Sequence, residues 1–344
     1  MSEDTVALMA VERDDEPAAA KTPWYRRRWL RVLSWLGTAG VVTYGAVRLF
    51  GLETGFLLVT TVAFVPYFVV AAIVGAGVQA VVRHWLAAGI TAATAIALAA
   101  VLVPRAVADD QPTAGGAELT VMSVNLYVGN ANFDYIMELV EEHQPDLLSV
   151  QELTPGSPDA FTERGLDEIM PYSILEPDDL AIGTGLYSRY PLERIETVGR
   201  DAIFYQIAAE IDMPEGTDIR FMAAHPAAPA SAERIPLWEE DFEQLPRPDG
   251  GLPWVIAGDF NATLDHENMR ELLDSGYTDA AEAMGEGLDA TWQPTGGYLN
   301  GLVKIPAVTL DHVIAEEGIE VLDWEVLDDA GSDHAPVVAR LRLQ

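Results

Sequence analysis

Near its end the chain reads Gly331-Ser332-Asp333-His334, an acid and an imidazole side by side. An apolar, β-type run follows, with Val337, Val338, Leu341 and Leu343 broken by arginines. A Ser and an Asp in such a turn can serve local hydrogen bonds and nothing more. A strand boundary can also hold reactive groups over a pocket. Asn125, Glu152, His225, Asp259, Asn261 and Asp311 all fall at or near the carboxyl ends of predicted strands, with Asp333 and His334 completing the set. Rigid strands that present carboxylates, amides and imidazoles from several directions are what metal-dependent chemistry needs. Each residue alone is weak, because an Asn or Asp at a strand end is commonly a turn former. The signal is the set and its order. The chain has no cysteine, which excludes disulfides, thiolate metal sites and cysteine nucleophiles. Any metal must then be held by oxygen or imidazole ligands.

The elements that must position these residues alternate between strands and helices from Glu118 onward. "ELTVMSVN" predicts a strand ending at Asn125, and "NFDYIMELVEEH" carries the apolar stripe of an amphipathic helix. "DLLSVQE" is a buried strand ending at Glu152. "FYQIAAEID" and "DIRFMAAHP" predict a hairpin, and "LPWVIAGDFN" another buried strand. "AERIPLWEEDFEQL" and "HENMRELLDSG" read as helices, the second capped by Gly276. "AVTLDHVIAEEG" and "IEVLDWEVLD" supply the strands before the closing one. His312, beside Asp311, should point to the opposite face of its strand and is read as structural; His143 and His266, at helix ends, are read as surface.

The front of the chain has a different composition. Residues 1–28 form a polar, acidic segment running into the basic cluster "KTPWYRRR". Three apolar stretches follow within 29–105, roughly Trp29–Phe50, Phe56–Val82 and Trp85–Val103. Each is about the 20 residues that cross a bilayer as helix. Lys21, Arg26, Arg27, Arg28 and Arg31 cluster at the start of the first stretch and Arg83 separates the last two, while Arg48 and Arg105 fall at the other ends. By the positive-inside bias the amino terminus is cytoplasmic and the chain after Val103 lies outside. A twin-arginine echo in "RRRWLR" is explained as well by a basic flank. An A-x-A pattern at Ala106 and Ala108 fits an alanine-rich linker as well as a cleavage site. Residues 106–117 form that polar Pro/Gly linker, and 118–344 the domain that carries the polar set.

Charge divides along the same boundary. Residues 106–344 hold 47 acids and 11 bases, a net charge of −36, and the chain's only lysines are Lys21 and Lys304. Such a lysine-poor acidic surface is similar to that of proteins from salt-loving organisms, where salt screens self-repulsion. It disfavours long nucleic acid as a partner at low salt.

The ordered segments "MSVNLYVGN", "PDLLSVQEL", "GTGLYSRYPL", "AAHPAAP", "VIAGDFNAT", "ATWQP", "TLDHVIAE" and "GSDHAPVVARL" resemble those of the endonuclease/exonuclease/phosphatase superfamily, the DNase-I-like fold. The three apolar stretches with "HPAAP" and "ATWQP" look closest to its membrane-anchored, teicoplanin-resistance-type branch. The resemblance implies an α+β fold of two packed β-sheets flanked by helices, a four-layer sandwich, here preceded by three transmembrane helices. It implies that Glu152, with Asn125 and Asp333, holds Mg²⁺ or Mn²⁺. His225, Asn261 and His334 would contact phosphate oxygens, Asp259 would orient or deprotonate water, and Asp311 would hold the His334 ring. Many nucleases of the family carry Asp or Asn where this chain has Tyr127. Tyr187, Arg189, Trp238 and Trp292 are candidates to line a substrate groove. The leading expectation is a multi-pass membrane protein with an outward-facing, metal-dependent phosphoester hydrolase acting on a lipid-linked phosphate or pyrophosphate. An extracellular nuclease and a non-catalytic membrane-anchored binding domain are the alternatives.

Overall fold

The structure, a computed structural model, describes residues 27–199, 202–214, 218–294, 297–298 and 303–344. Lys21, Arg26 and the expected polar start of the chain lie outside them.

Two six-stranded mixed sheets pack face to face. The first has the order β13 (Glu320–Val326), β14 (Val337–Arg342), β1 (Glu118–Asn125), β2 (Leu147–Gln151), β4 (Thr184–Ser188), β3 (Tyr172–Glu176). The second runs β5 (Leu192–Arg194), β6 (Ile207–Ile211), β7 (Ile219–Ala224), β8 (Trp254–Asp259), β12 (Asp311–Glu316), β9 (Tyr277–Asp279). A short pair, β10 (Gly297–Tyr298) with β11 (Val303–Lys304), stands apart. The expected hairpin is β6–β7. The two strands of "GTGLYSRYPLERIETV" part at Tyr190-Pro191, β4 joining one sheet and β5 the other.

Alternation explains both the layers and the site. On β1, Leu119 and Val121 enter the core between the sheets, while Met122 and Val124 pack outward. The outward face is covered by α5 (Phe133–His143), α6 (Ser157–Thr162) and α7 (Leu166–Ile169). On the second sheet, Phe221, Val255 and Val313 face inward, and Met222, Ile256 and Ile314 face outward. There they meet α8 (Ile235–Glu243) and α9 (Glu267–Asp274); α10 (Ala280–Ala283) closes one edge of the inner core. The inward rows are apolar at one end and polar at the other. Leu119 and Val121 give way to Ser123 and Asn125, Leu147 to Ser149 and Gln151, and Val255 and Ala257 to Asp259. The period-2 rule therefore carries the core rows directly into a cluster of buried polar groups.

Asp311 does not end a strand, as expected from sequence, but opens β12. The register pairs it with Asp259 in the antiparallel ladder, so a strand start and a strand end meet at one edge. In "GDFN" the glycine is required by close approach: a Cβ on Gly258 would lie 1.9 Å from the Ala224 carbonyl oxygen of neighbouring β7.

The amino-terminal region is α1 (Arg28–Leu49), α2 (Gly55–Val62), α3 (Val65–Val81) and α4 (Trp85–Leu102). Among the described residues two helices are long and apolar enough to cross a membrane, Arg28–Leu49 and Trp85–Ala106. The expected second span is broken: α2 and α3 meet at 85°. Pro66, in the first turn of α3, has no N–H to continue the ladder. α2 instead packs on the sandwich, with Val59 buried among Met222, Trp238 and Phe242. Large apolar side chains stay exposed along the helices, including Leu36, Leu57, Val70, Val81 and Ile96, a large apolar surface of the kind that marks an interaction site.

Arg48 and Arg105, at the ends of two different helices, converge on one buried carboxylate. Arg48 Nε lies 2.5 Å from Asp265 Oδ1 and Arg105 Nη1 lies 3.1 Å from Oδ2. This clamp brings the ends of α1 and α4 to the same face of the sandwich.

Candidate functional site

The buried polar groups meet at the polar edge of the sandwich. His334 Nδ1 is 2.9 Å from Asp311 Oδ2, and its Nε2 is 3.5 Å from Asp259 Oδ2. Asp259 also accepts from Asn125 Nδ2 (3.1 Å) and from the Asn261 backbone N–H (2.8 Å). His225 Nε2 stands 3.8 Å from the same Oδ2. Asn261 Nδ2 donates to the Pro226 carbonyl at 3.0 Å. Glu152, just past β2, accepts the Val128 backbone N–H at 2.6 Å. Asp333 accepts the Trp292 indole N–H at 3.1 Å. All eight polar residues singled out in the sequence are thus brought to one edge, by hydrogen bonds within the set or by lining the same cavity.

Their electrostatics are divided. Burial disfavours the His334 imidazolium, but Asp311 and Asp259 outweigh it and push the ring up to about 10. His225, buried and facing the His334 charge, is pushed down to about 3 and is neutral at pH 7. Burial, with Asp311 adding repulsion, raises Asp259 to about 7 even against the pull of His334. Burial raises Glu152 as well. The edge therefore holds one charged imidazole, one neutral imidazole and two carboxyls, Asp259 and Glu152, held above their ordinary range.

Backbone strain concentrates here. Four of the six non-glycine residues with positive φ among the described residues are Tyr127, Val128, Glu152 and Asn261. Such conformations persist only where the surroundings impose them. At Val128 the strained turn aims an N–H at the Glu152 carboxylate.

The turn before β14 satisfies the bland reading as well. Ser332 Oγ accepts the His334 N–H, although the acid that caps the turn is Asp329, not Asp333. The "ATWQP" segment runs alongside: Trp292 bridges both Val308 and His334. Thr291, not singled out in the sequence, donates its hydroxyl to Asp311 Oδ2 at 2.6 Å and accepts the Leu310 and Asp311 N–H groups. It fixes the acid that holds His334.

A cavity of about 400 Å³ opens over these groups. Trp292 lines it, as expected. Tyr187 and Trp238 do not: both are buried in the outer layers, Tyr187 against Phe161 and Trp238 against Phe242. Arg189 lies at the opposite end of β2, bonded to Gln144. Tyr187 pairs with Leu148 on the outward face of the first sheet, and that parity keeps it from the cavity. His312 is structural, as expected, between Asp279 and the Ala262 carbonyl. His266 is a correction. It is buried, not on the surface, and binds the Val59 carbonyl through Nε2. Arg234 lines the cavity and is the one arginine or lysine among its described lining residues; its place before an amphipathic helix hid it.

Two groups of side chains could hold a divalent cation. Ligand atoms of Asp259, Asp311 and His334 lie within 4.8 Å of one another, but Asp311 Oδ2 and His334 Nδ1 are already spent on each other. Glu152 with Asn125 is the second group. Its raised carboxyl, beside further acids and a single cationic ring, is a donor set that a hard divalent ion fits.

A family model described as "Endonuclease/Exonuclease/phosphatase family" matches residues 122–334. The chain belongs to the endonuclease/exonuclease/phosphatase family. Solved structures agree on the fold. An endonuclease/exonuclease/phosphatase from Beutenbergia cavernae aligns at TM-score 0.50 and 20% identity, over 66% of this chain and 72% of that one. The human Nocturnin catalytic domain with bound sulfate aligns at 0.51 and 18%, over 68% and 97%. D. rerio TDP2 complexed with single-strand DNA product aligns at 0.50 and 14%, over 66% and 99%. No curated protein sequence matches the chain. Within the family fold, the matched region contains every residue of the edge described above.

Proposed function

We propose that this family member is a membrane-anchored, divalent-metal-dependent phosphoester hydrolase that acts on a lipid-linked phosphate or pyrophosphate outside the cytoplasm. The observation that carries the reading is that the Asp311–His334–Asp259 array meets a cavity lined also by Thr60, Ala63 and Phe64 of the apolar amino-terminal region. The narrower likeness to the membrane-anchored, teicoplanin-resistance-type branch belongs to this proposal.

Glu152 and Asn125 would hold Mg²⁺ or Mn²⁺, which neutralises phosphoryl charge when bound. The remaining steps fall to side chains. Asp259, with its affinity for a proton raised by burial, takes the proton of the attacking water. Asn125 and the Asn261 N–H orient that carboxylate. His334, held charged by Asp311, donates from Nε2 to a phosphoryl oxygen as negative charge builds there. Neutral His225 and the Asn261 amide are within the same cavity to contact other phosphoryl oxygens. Water adds to phosphorus, the bond to the leaving oxygen breaks, and the phosphate departs with the added oxygen. Asp333 is tied to the Trp292 indole, and we assign it to placing that wall.

A nuclease is the second reading, favoured by the DNA product held by the TDP2 relative. The net charge of −36 beyond residue 105, and one arginine among the described residues of the cavity wall, weigh against a long polyanion.

The test uses the full chain in detergent or nanodiscs with a lipid pyrophosphate, a lipid phosphodiester and duplex DNA. Hydrolysis of a lipid substrate that EDTA abolishes and Mg²⁺ or Mn²⁺ restores is expected. Cleavage of DNA at least as fast at every salt concentration would transfer the assignment to a nuclease. A reporter fused after Gln344 tests sidedness, and activity of that fusion in the cytoplasm would overturn the outward orientation.

A further inference from the structure

The cavity lining is of two kinds. Glu152, Asp259, Asp333 and the two imidazoles are polar; Ala63 and Phe64 of the α2–α3 elbow, with Val308 and Leu310, are apolar, and Thr60 joins them from the same elbow. No charged group comes from the elbow. Thr60 turns its hydroxyl back onto the Phe56 carbonyl of its own helix, at 2.7 Å, so it offers little to water.

The elbow is held in place. His266 Nε2 lies 3.0 Å from the Val59 carbonyl, which can only accept, so that nitrogen carries the proton; Nδ1 then accepts the Thr263 N–H at 2.9 Å. Tyr44 donates its hydroxyl to the Thr61 carbonyl at 2.7 Å, and Tyr67 donates to the Ala307 carbonyl at 2.7 Å. The last bond ties the start of α3 to the residue before Val308. An anchor alone would need none of these. A helix pair that only tethers the domain has no reason to enter the cavity beside the reactive groups.

The elbow is also continuous with exposed apolar surface. Phe56, Leu57, Tyr67 and Val70 on its two arms are exposed, and α3 leads from them into the helical bundle. A path of apolar surface thus runs from the bundle to within the same cavity as His334.

We propose that the α2–α3 elbow is the specificity wall for the hydrocarbon chain of a bilayer lipid. The chain lies against Ala63, Phe64, Val308 and Leu310 while its phosphoester reaches Asp259 and His334. This rests on the hydrolase reading above and adds to it the residues that select an amphiphile over a soluble ester. The gain is the ordinary one of burying methylenes, and the substrate enters from the membrane side.

Two measurements on the full chain in nanodiscs test it. The first compares p-nitrophenyl hexadecyl phosphate with p-nitrophenyl methyl phosphate. Ala63→Trp and Phe64→Ser should each lower kcat/KM for the hexadecyl ester by about tenfold or more, the scale of a few methylenes in an apolar pocket, and leave the methyl ester within about twofold. Equal effects on both esters, or none on either, overturn the proposal. The second needs no turnover. The chain has no cysteine, so Phe64→Cys places a unique thiol on the wall and Leu57→Cys one on the exposed arm. Hexadecyl phosphonate with Mg²⁺ should slow maleimide labelling at position 64 several-fold, and methyl phosphonate should not. No slowing at 64, or equal slowing at 57 from simple partition into the bilayer, overturns the wall. If the wild type cleaves neither ester, the hydrolase reading fails by itself, and the labelling still decides whether the wall takes a chain.

Discussion

The Nδ1 atom of His334 lies 2.9 Å from Oδ2 of Asp311, and this bond leaves Nε2 as the nitrogen that faces Asp259 and the cavity. Asp311 is itself fixed by the Thr291 hydroxyl. Orientation and charge of the ring thus come from the same acid, which the second sheet contributes at the start of β12.

Replacing Asp311 by Asn should lower the His334 pKa from about 10, because burial would then be opposed by Asp259 and Asp333 alone. A group raised in the folded state stabilises below its unfolded pKa and loses that contribution as pH rises through the folded one. The wild-type protein should therefore lose stability between about pH 6.5 and 10, and Asp311→Asn should show a weaker slope there. NMR titration of the metal-free proteins checks the ring directly. A wild-type ring that titrates near pH 6.5 contradicts the assignment.

Glu152→Gln keeps the shape at the end of β2 and removes the charge that attracts a cation. The Mg²⁺ or Mn²⁺ concentration for half-maximal rate should rise by at least the roughly 10–100-fold that even outer partners of a metal are worth. Metal titration of the rate, with calorimetry of binding, measures it. An unchanged requirement removes Glu152 from the ligand set.

Asp259→Asn and His334→Ala should each lower the lipid-ester rate by about 10²-fold or more, the scale of losing a positioned acid–base group. Circular dichroism and thermal midpoints should show that both variants fold. Running both at low and high salt matters because screening weakens the repulsion of DNA. Retention of rate in either variant rules that residue out of the reaction.

Asp265→Ala should strand the Arg48 and Arg105 guanidinium groups in a buried setting. Breaking one side of such a cluster costs about 3–5 kcal/mol. The thermal midpoint should fall, and limited proteolysis should open the Phe50–Thr54 connection. A midpoint unchanged by the substitution means the helices dock without help from this clamp.

Much of the edge was legible because it lies on period-2 rows. Asn125, His225 and Asp259 continue the inward parity of Val121, Phe221 and Val255, so local pattern sufficed to mark them. Apolar length likewise marked α1 and α4. The break between α2 and α3 also has a local cause in Pro66, yet composition read over 20 residues conceals it. Other features have no local signature. That Asp311 meets His334 depends on β12 and β14 belonging to different sheets that face each other. That Tyr187 packs against Phe161 while Trp292 reaches the cavity depends on which side of each strand is covered. The amino-acid order by itself determined the layers, the polar set and the apolar front, because hydrophobic alternation is a short-range code. Only the tertiary structure decided that an elbow near residue 64 shares a cavity with His334, because a contact across some 270 positions is settled by packing and not by any local preference.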